Sequence, residues 1–337
     1  MHACAERVSE LRACRGLTPV PADFDAFWAE RMAEADAQDL GWRTEPARVP
    51  DRPGCTYRDL WFRGMGGARL HARLLVPAGA LRALDEGAGV PLVLQFHGYP
   101  GATRSWFELS SLVGLGCAVL AMDNPGQGGP SEDVGGYLGT TVAGHLVAGL
   151  DGGPRNLYYV RLYQDVRILC RVARELPGVD VGRVLVNGAS QGGGMGLACC
   201  ALNPDLVARA AILYPFLSDF RRVRELGRDE VAYEGLRYHE RWFDPAAERV
   251  DEDYATLAYV DSVSFAHLVR CPVLCGTGLA DTVCPPESQF AVWNALSCER
   301  HLVVYPAFGH EEIQDFDDRA IAWLLRGEAP GGELAWG

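Results

Sequence analysis

Val184-Leu185-Val186-Asn187-Gly188-Ala189-Ser190-Gln191-Gly192-Gly193-Gly194-Met195 is the stretch that decides the fold. Val184–Val186 is a short apolar run of strand type, and Gln191–Leu202 has the length and composition of a helix. Between them, Gly188, Ser190 and Gly192 spell G-x-S-x-G. Small residues two before and two after the serine permit a strained strand-to-helix turn that pushes the hydroxyl into a cleft. The five letters alone are weak, since a glycine-rich turn with an idle serine reads the same. The strand before and the helix after give them meaning.

The same alternation extends outward from this turn. Val90–Phe96, Cys117–Met122, Arg209–Tyr214, Pro272–Gly276 and His301–Tyr305 are short apolar runs, as parallel strands covered on both faces should be. Ser105–Leu115, Asn156–Leu176 and Arg319–Arg326 carry helical spacing between or after them. The class is therefore α/β: an α/β-hydrolase fold, with a mostly parallel central sheet and helices on both faces. Upstream, Asp23–Ala35 predicts a helix capped by Asp23, with Phe24, Phe27, Trp28 and Met32 on one face. Tyr57–Arg63 and Ala68–Val76 predict a hairpin turned at Gly64–Gly67, and 78–90 a loop or short helix. Residues 1–337 are read as one domain with an N-terminal helical and strand extension over about 1–77. A helical insertion over the active site is expected at about 219–265.

A serine hydroxyl is a poor nucleophile until a base takes its proton. In this fold the partners follow in the order serine, acid, histidine. His310 alone among eight histidines lies past the carboxyl end of a late strand. The acid belongs on the loop after the preceding strand, where Asp281 stands; Glu287 is its nearer rival and Asp261 a remote one. The tetrahedral oxyanion needs backbone donors. The amide of Gln191 is one, and the amide of Tyr99, in Phe96-His97-Gly98-Tyr99-Pro100-Gly101, is the other, since Pro100 has none. Trp106, Phe107, Tyr214 and Phe216 are available to line a pocket, and Tyr233–Trp242 to shape the alcohol side.

Composition narrows the alternatives. The net charge is −13, and the densest basic cluster, Arg221, Arg222 and Arg224, reads as a solvated helix face; this excludes a nucleic-acid partner. No run is apolar and long enough for a membrane helix, and Met1–Thr18 lacks the apolar core of a signal peptide. Eleven cysteines, without metal-ligand spacing, suit a reducing cytoplasm and a role as small buried apolar residues. No cofactor or metal is implied, and the partner is a small-molecule ester.

With these residues assembled, the chain resembles the acetyl xylan esterase and cephalosporin C deacetylase family, carbohydrate esterase family 7. The likeness runs through Asp23-Phe24-Asp25-Ala26-Phe27-Trp28, Phe96-His97-Gly98-Tyr99, Gly126-Gln127-Gly128-Gly129 and Thr141-Val142-Ala143-Gly144-His145. It continues in Ser190-Gln191-Gly192-Gly193, Asp281-Thr282-Val283-Cys284-Pro285-Pro286 and Gly309-His310-Glu311. The resemblance implies removal of short acyl groups, chiefly acetyl, from sugar and small-molecule alcohol esters. It also implies Ser190, Asp281 and His310 as the triad, support from Gln127 and Glu311, and a cytoplasmic hexamer. Pro125 stands where the family has arginine, which removes a forked donor and predicts a shifted loop and a shifted substrate. The alternatives are a hydrolase of a larger acyl ester, lactone or thioester, or a hydrolase-fold binding protein without catalysis.

Overall fold

The computed structural model describes residues 2–329 apart from 50, 53, 79, 81–88, 143, 229 and 230. Among the described residues, nine strands form one sheet in the order β1-β2-β3-β5-β4-β6-β7-β8-β9. They are Arg43–Pro46, Cys55–Arg63, Arg69–Pro77, Val90–Phe96, Ala118–Met122, Val179–Ala189, Val207–Leu213, Val273–Gly278 and Arg300–Tyr305, numbered β1 to β9. From β5 across to β9 every pairing is parallel. β1, β2 and β3 are joined to that block antiparallel, through β3 against β5.

The apolar runs are explained by two cores, one on each sheet face. Leu92, Leu94 and Phe96 of β4, with Val184 and Val186 of β6, enter one core; Val93 and Leu185 enter the other. A strand that feeds both cores has no polar face to show. The larger core is covered by the helices Phe24–Asp36, Tyr158–Glu175 and Gln191–Leu202. The other is covered by Trp106–Gly114 and Gln314–Arg326.

The 219–265 segment is helical, with Phe220–Glu225, Glu234–Phe243, Val250–Leu257 and Ser262–Phe265. Within it, Arg221 meets Asp251, Arg222 meets Glu225 and Arg224 meets Glu240, the pairing of a charged outer face. Among the elements that escaped the periodicity are the helix His2–Ala13, β1, short and exposed along its length, and the helix Pro286–Ala295, which is buried nearly all round and so lacks a polar stripe. Asp23 does sit at the N-cap of Phe24–Asp36, but its side chain makes no capping bond and instead accepts from the Tyr259 hydroxyl. A tertiary partner outcompeted the local one. The expected loop at 78–90 falls largely outside the described residues.

Candidate active site

Ser190 is placed by its backbone. It has φ 56° and ψ −123°, a conformation L-residues rarely hold. Neighbouring chains enforce it: the Ser190 amide donates to Leu213 O at 3.0 Å, and its carbonyl accepts from Gly193, Gly194 and Phe216. A Cβ at position 188 would lie 2.2 Å from the Gly192 carbonyl oxygen, and one at 192 would lie 2.2 Å from that of Phe96. The two flanking glycines are therefore demanded by close approach of backbone to backbone.

The hydroxyl so presented meets a histidine. His310 Nε2 is 3.0 Å from Ser190 Oγ, and its Nδ1 is 2.9 Å from Oδ2 of Asp281. Asp281 has no exposed side-chain surface, whereas the His310 side chain is 21% exposed. The buried carboxylate is compensated locally: its Oδ1 accepts from the amides of Val283 and Cys284, each at 2.8 Å. Gln289 adds a weaker bond to Oδ2 at 3.3 Å. An anion satisfied this way stays fixed against one face of the imidazole. Glu311 accepts from the Gly309 amide at 3.0 Å, bracing the turn that carries His310, and the Tyr214 ring lies 4.5 Å from the imidazole. The rival acids are engaged elsewhere. Glu287 binds Arg7, and Asp261 accepts from Asp219, Phe220 and Val263 amides and from Thr18.

Two amides lack partners of their own. Among the described residues, the main-chain N–H groups of Tyr99 and Gln191 have no protein acceptor, although Gln191 is fully buried. Gln191 heads the helix Gln191–Leu202, whose first N–H groups have no intrahelical acceptor, so its amide is free beside the serine. The Gln191 side chain is held by Gln127, Tyr159 and the His97 carbonyl. His97 carries a signal that sequence reading missed. Its Nδ1 lies 2.8 Å from Gly98 O, and its Nε2 accepts from the Asn124 amide at 3.1 Å. That pattern requires the neutral ring, and burial lowers its pKa accordingly. The imidazole pins the Tyr99 loop to the end of β5.

Beside the elbow, the Tyr99 ring lies 6.2 Å from Phe216, and Phe216 is backed by Tyr233 at 4.5 Å. The His145 amide donates to the Tyr99 hydroxyl at 3.3 Å. Tyr233, from the 219–265 segment, thus packs behind Phe216. Trp106 and Phe107 are not part of this wall. They start the helix Trp106–Gly114 on the other sheet face, where Phe107 is 87% exposed. A cavity of about 830 Å³ lies there too, between that helix and Gln314–Arg326. It reaches Asn187–Ala189 from below but contains neither Ser190 nor His310. The Pro125 carbonyl accepts from the Tyr158 hydroxyl at 2.7 Å, and the turn after it still carries Gln127 to Gln191.

Among the described residues, no helix is long and apolar enough to cross a membrane. The acetyl xylan esterase (AXE1) family model matches residues 1–326. The acetyl esterase Axe7A of Xylanibacter ruminicola is 32% identical over 326 residues, covering 92% of this chain and 68% of that protein. The crystal structure of acetyl xylan esterase 1 from Thermoanaerobacterium sp. JW/SL YS485 superposes with a TM-score of 0.88 at 36% identity, over 94% of this chain and 98% of that one. The acetyl xylan esterase of Paenibacillus sp. R4 gives 0.87 at 26% identity over the same shares. With the family model spanning nearly its whole length, the chain belongs to the acetyl xylan esterase family and is a carboxylic ester hydrolase.

Proposed function

We propose that Ser190, His310 and Asp281 hydrolyse short acyl esters, acetyl above all, of sugars and small alcohols through an acyl-enzyme. The hydrogen-bonded chain from Ser190 Oγ through His310 to Asp281 carries this reading. Ser190 attacks the ester carbonyl as Nε2 of His310 takes its proton. Asp281 keeps the other ring nitrogen protonated and stabilises the imidazolium. The developing oxyanion is received by the amides of Gln191 and Tyr99. His310 returns the proton to the departing alcohol, and then acts as base for the water that cleaves the acyl-enzyme. The tight aromatic wall of Tyr99, Phe216 and Tyr233 supports a small acyl group.

Cytoplasmic residence is part of the same proposal, supported by free thiols at every described cysteine. So is the hexamer implied by the resemblance, which sedimentation of the native chain would test. Acetate release from p-nitrophenyl acetate and from an acetylated xylo-oligosaccharide, compared between wild type and Ser190→Ala, tests the chemistry. Release that survives the substitution would refute the assignment. Release from the aryl ester but not the sugar would move the substrate to another alcohol.

A further inference from the structure

Sequence reading gave Cys284 no task beyond filling space. In the fold it stands at the reactive centre. A carboxylate oxygen of Asp281, Sγ of Cys284 and a ring nitrogen of His310 all lie within 4.8 Å of one another. The Ser190 hydroxyl lies near the same thiol. Among the described residues, no other group of three histidine, cysteine or acidic ligand atoms gathers this closely.

Burial and the neighbouring Asp281 charge push the thiol pKa well above its ordinary value, so Cys284 is protonated and a poor nucleophile. Nucleophilic or oxidative thiol chemistry is therefore not its use. Sulfur, imidazole nitrogen and carboxylate oxygen together are instead the ligand set of a borderline-soft divalent cation. Bonds of about 2.0–2.3 Å in a tetrahedral shell place such ligand atoms roughly 3.3–3.8 Å apart. Atoms already within 4.8 Å need to shift by an ångström or so to close on an ion.

We infer that Asp281, Cys284 and His310 form an inhibitory binding site for Zn²⁺ and ions like it, with Ser190 Oγ or water in the fourth position. On binding, the thiol gives one proton to solvent and its sulfur bonds to the ion; the carboxylate and the neutral imidazole replace bound waters. No electron changes hands. Two ligand charges of −1 neutralise the ion, as a buried site requires. Inhibition follows whichever ring nitrogen is used, a step that rests on the catalytic reading above. At Nε2 the ion occupies the atom that takes the serine proton. At Nδ1 it displaces the bond to Asp281.

The test titrates wild type, Cys284→Ala, Cys284→Ser and Ser190→Ala with Cd²⁺, following the ultraviolet thiolate-to-cadmium absorbance and the proton released. In parallel, Zn²⁺ is titrated into p-nitrophenyl acetate hydrolysis, each active variant being scaled to its own metal-free rate. Wild type and Ser190→Ala should show one saturable band with one proton released per ion. Cys284→Ala should lose that band and need at least about tenfold more Zn²⁺ for half-inhibition, while a chelator restores wild-type activity. Should Cys284→Ala not fold, Cys284→Ser keeps the side-chain shape and is expected to weaken binding in the same direction. Equal Zn²⁺ sensitivity with and without Cys284, or a band that survives its removal, overturns the site. The band in Ser190→Ala is independent of turnover. Hydrolysis persisting in that variant would sink the mechanism and leave the metal site standing; an absent band would do the reverse.

Discussion

Gln127 and Gln191 clasp one another through both side-chain amides. Nε2 of Gln127 donates to Oε1 of Gln191 at 2.9 Å, and Nε2 of Gln191 donates back to Oε1 of Gln127 at 2.8 Å. Both side chains are buried, and the loop carrying Gln127 also carries Pro125, whose carbonyl the Tyr158 hydroxyl holds. The clasp connects the 125–129 turn to the residue whose main-chain amide lies next to the nucleophile. On the proposed mechanism, Gln127 fixes one wall of the oxyanion site without touching the ester. This turn-to-elbow connection persists with proline at 125, so an arginine there is not required to deliver it.

Breaking the clasp is therefore expected to lower kcat with little change in KM. Gln127→Glu keeps the size but removes the donor and sets a carboxylate against Oε1 of Gln191. A loss of about ten- to a hundredfold in kcat is expected, below the roughly 10²–10³ lost when an oxyanion donor is removed outright. Gln127→Ala should fall by less, because it leaves no repelling group. Steady-state kinetics on p-nitrophenyl acetate decide it. A change confined to KM would mean that Gln127 acts on binding and not on the oxyanion.

Asp281→Asn separates orientation from charge. The asparagine carbonyl can still accept from the Val283 and Cys284 amides that now bond Oδ1. Its amide nitrogen would then face Nδ1 of His310 and select the wrong tautomer. In a serine protease triad the corresponding change costs about 10⁴ in kcat, and a loss of that order is expected here with the melting temperature nearly unchanged. Retained activity would return the acid's role to another residue.

Why were these residues legible before the fold was? The elbow, Asp281 and His310 each follow a strand end, and chain order along a parallel sheet fixes their sequence. The same positional reasoning singles out the Gln191 and Tyr99 amides, whose role belongs to the proposed mechanism. What the sequence could not supply were contacts between distant segments. The bond from Asp23 to Tyr259 overrode a local cap, and Tyr233 reached Phe216 from within the insertion. Trp106 and Phe107 are near in sequence to the Tyr99 loop but lie across the sheet from it. His97 looked like an ordinary strand-end histidine, and only its two bonding partners reveal a ring kept neutral.

Asp165 gives a pH prediction away from the site. It is buried, its Oδ1 accepts from the Met65 amide at 2.7 Å, and burial raises its pKa to about 7. In the unfolded chain it titrates near the usual value of about 3.9. The folded state therefore holds the proton more tightly. The group favours folding fully below about pH 4, and that contribution is lost as pH rises through 7. At pH 8 the buried charge costs on the order of a few kcal/mol. Asp165→Asn keeps the acceptor for Met65 and carries no charge. It should stabilise the protein at pH 8, with the advantage shrinking toward pH 4. Urea unfolding at both pH values tests this; an equal difference at the two would clear Asp165 of the effect.

Acyl length is the last point on which the geometry commits. Phe216 has 1% exposure, is wedged between the Tyr99 and Tyr233 rings, and donates its amide to the Ser190 carbonyl. It joins the Tyr99–Tyr233 aromatic wall to the elbow. Replacing it with leucine removes part of the ring while keeping an apolar side chain, at a cost below that of truncation to alanine, which takes about 3–5 kcal/mol from a core aromatic. The volume freed lies beside Tyr99, which the proposed function makes the place for the alkyl tail of a longer acyl group. Phe216→Leu should thus raise kcat/KM for butyryl relative to acetyl esters by roughly tenfold, the worth of a methylene or two in an apolar pocket. Tyr233→Leu, one ring further back, should move the ratio the same way but less, because Phe216 still screens the site. If neither substitution changes the ratio of acetyl to butyryl hydrolysis, the small-acyl limit is set elsewhere than at this wall.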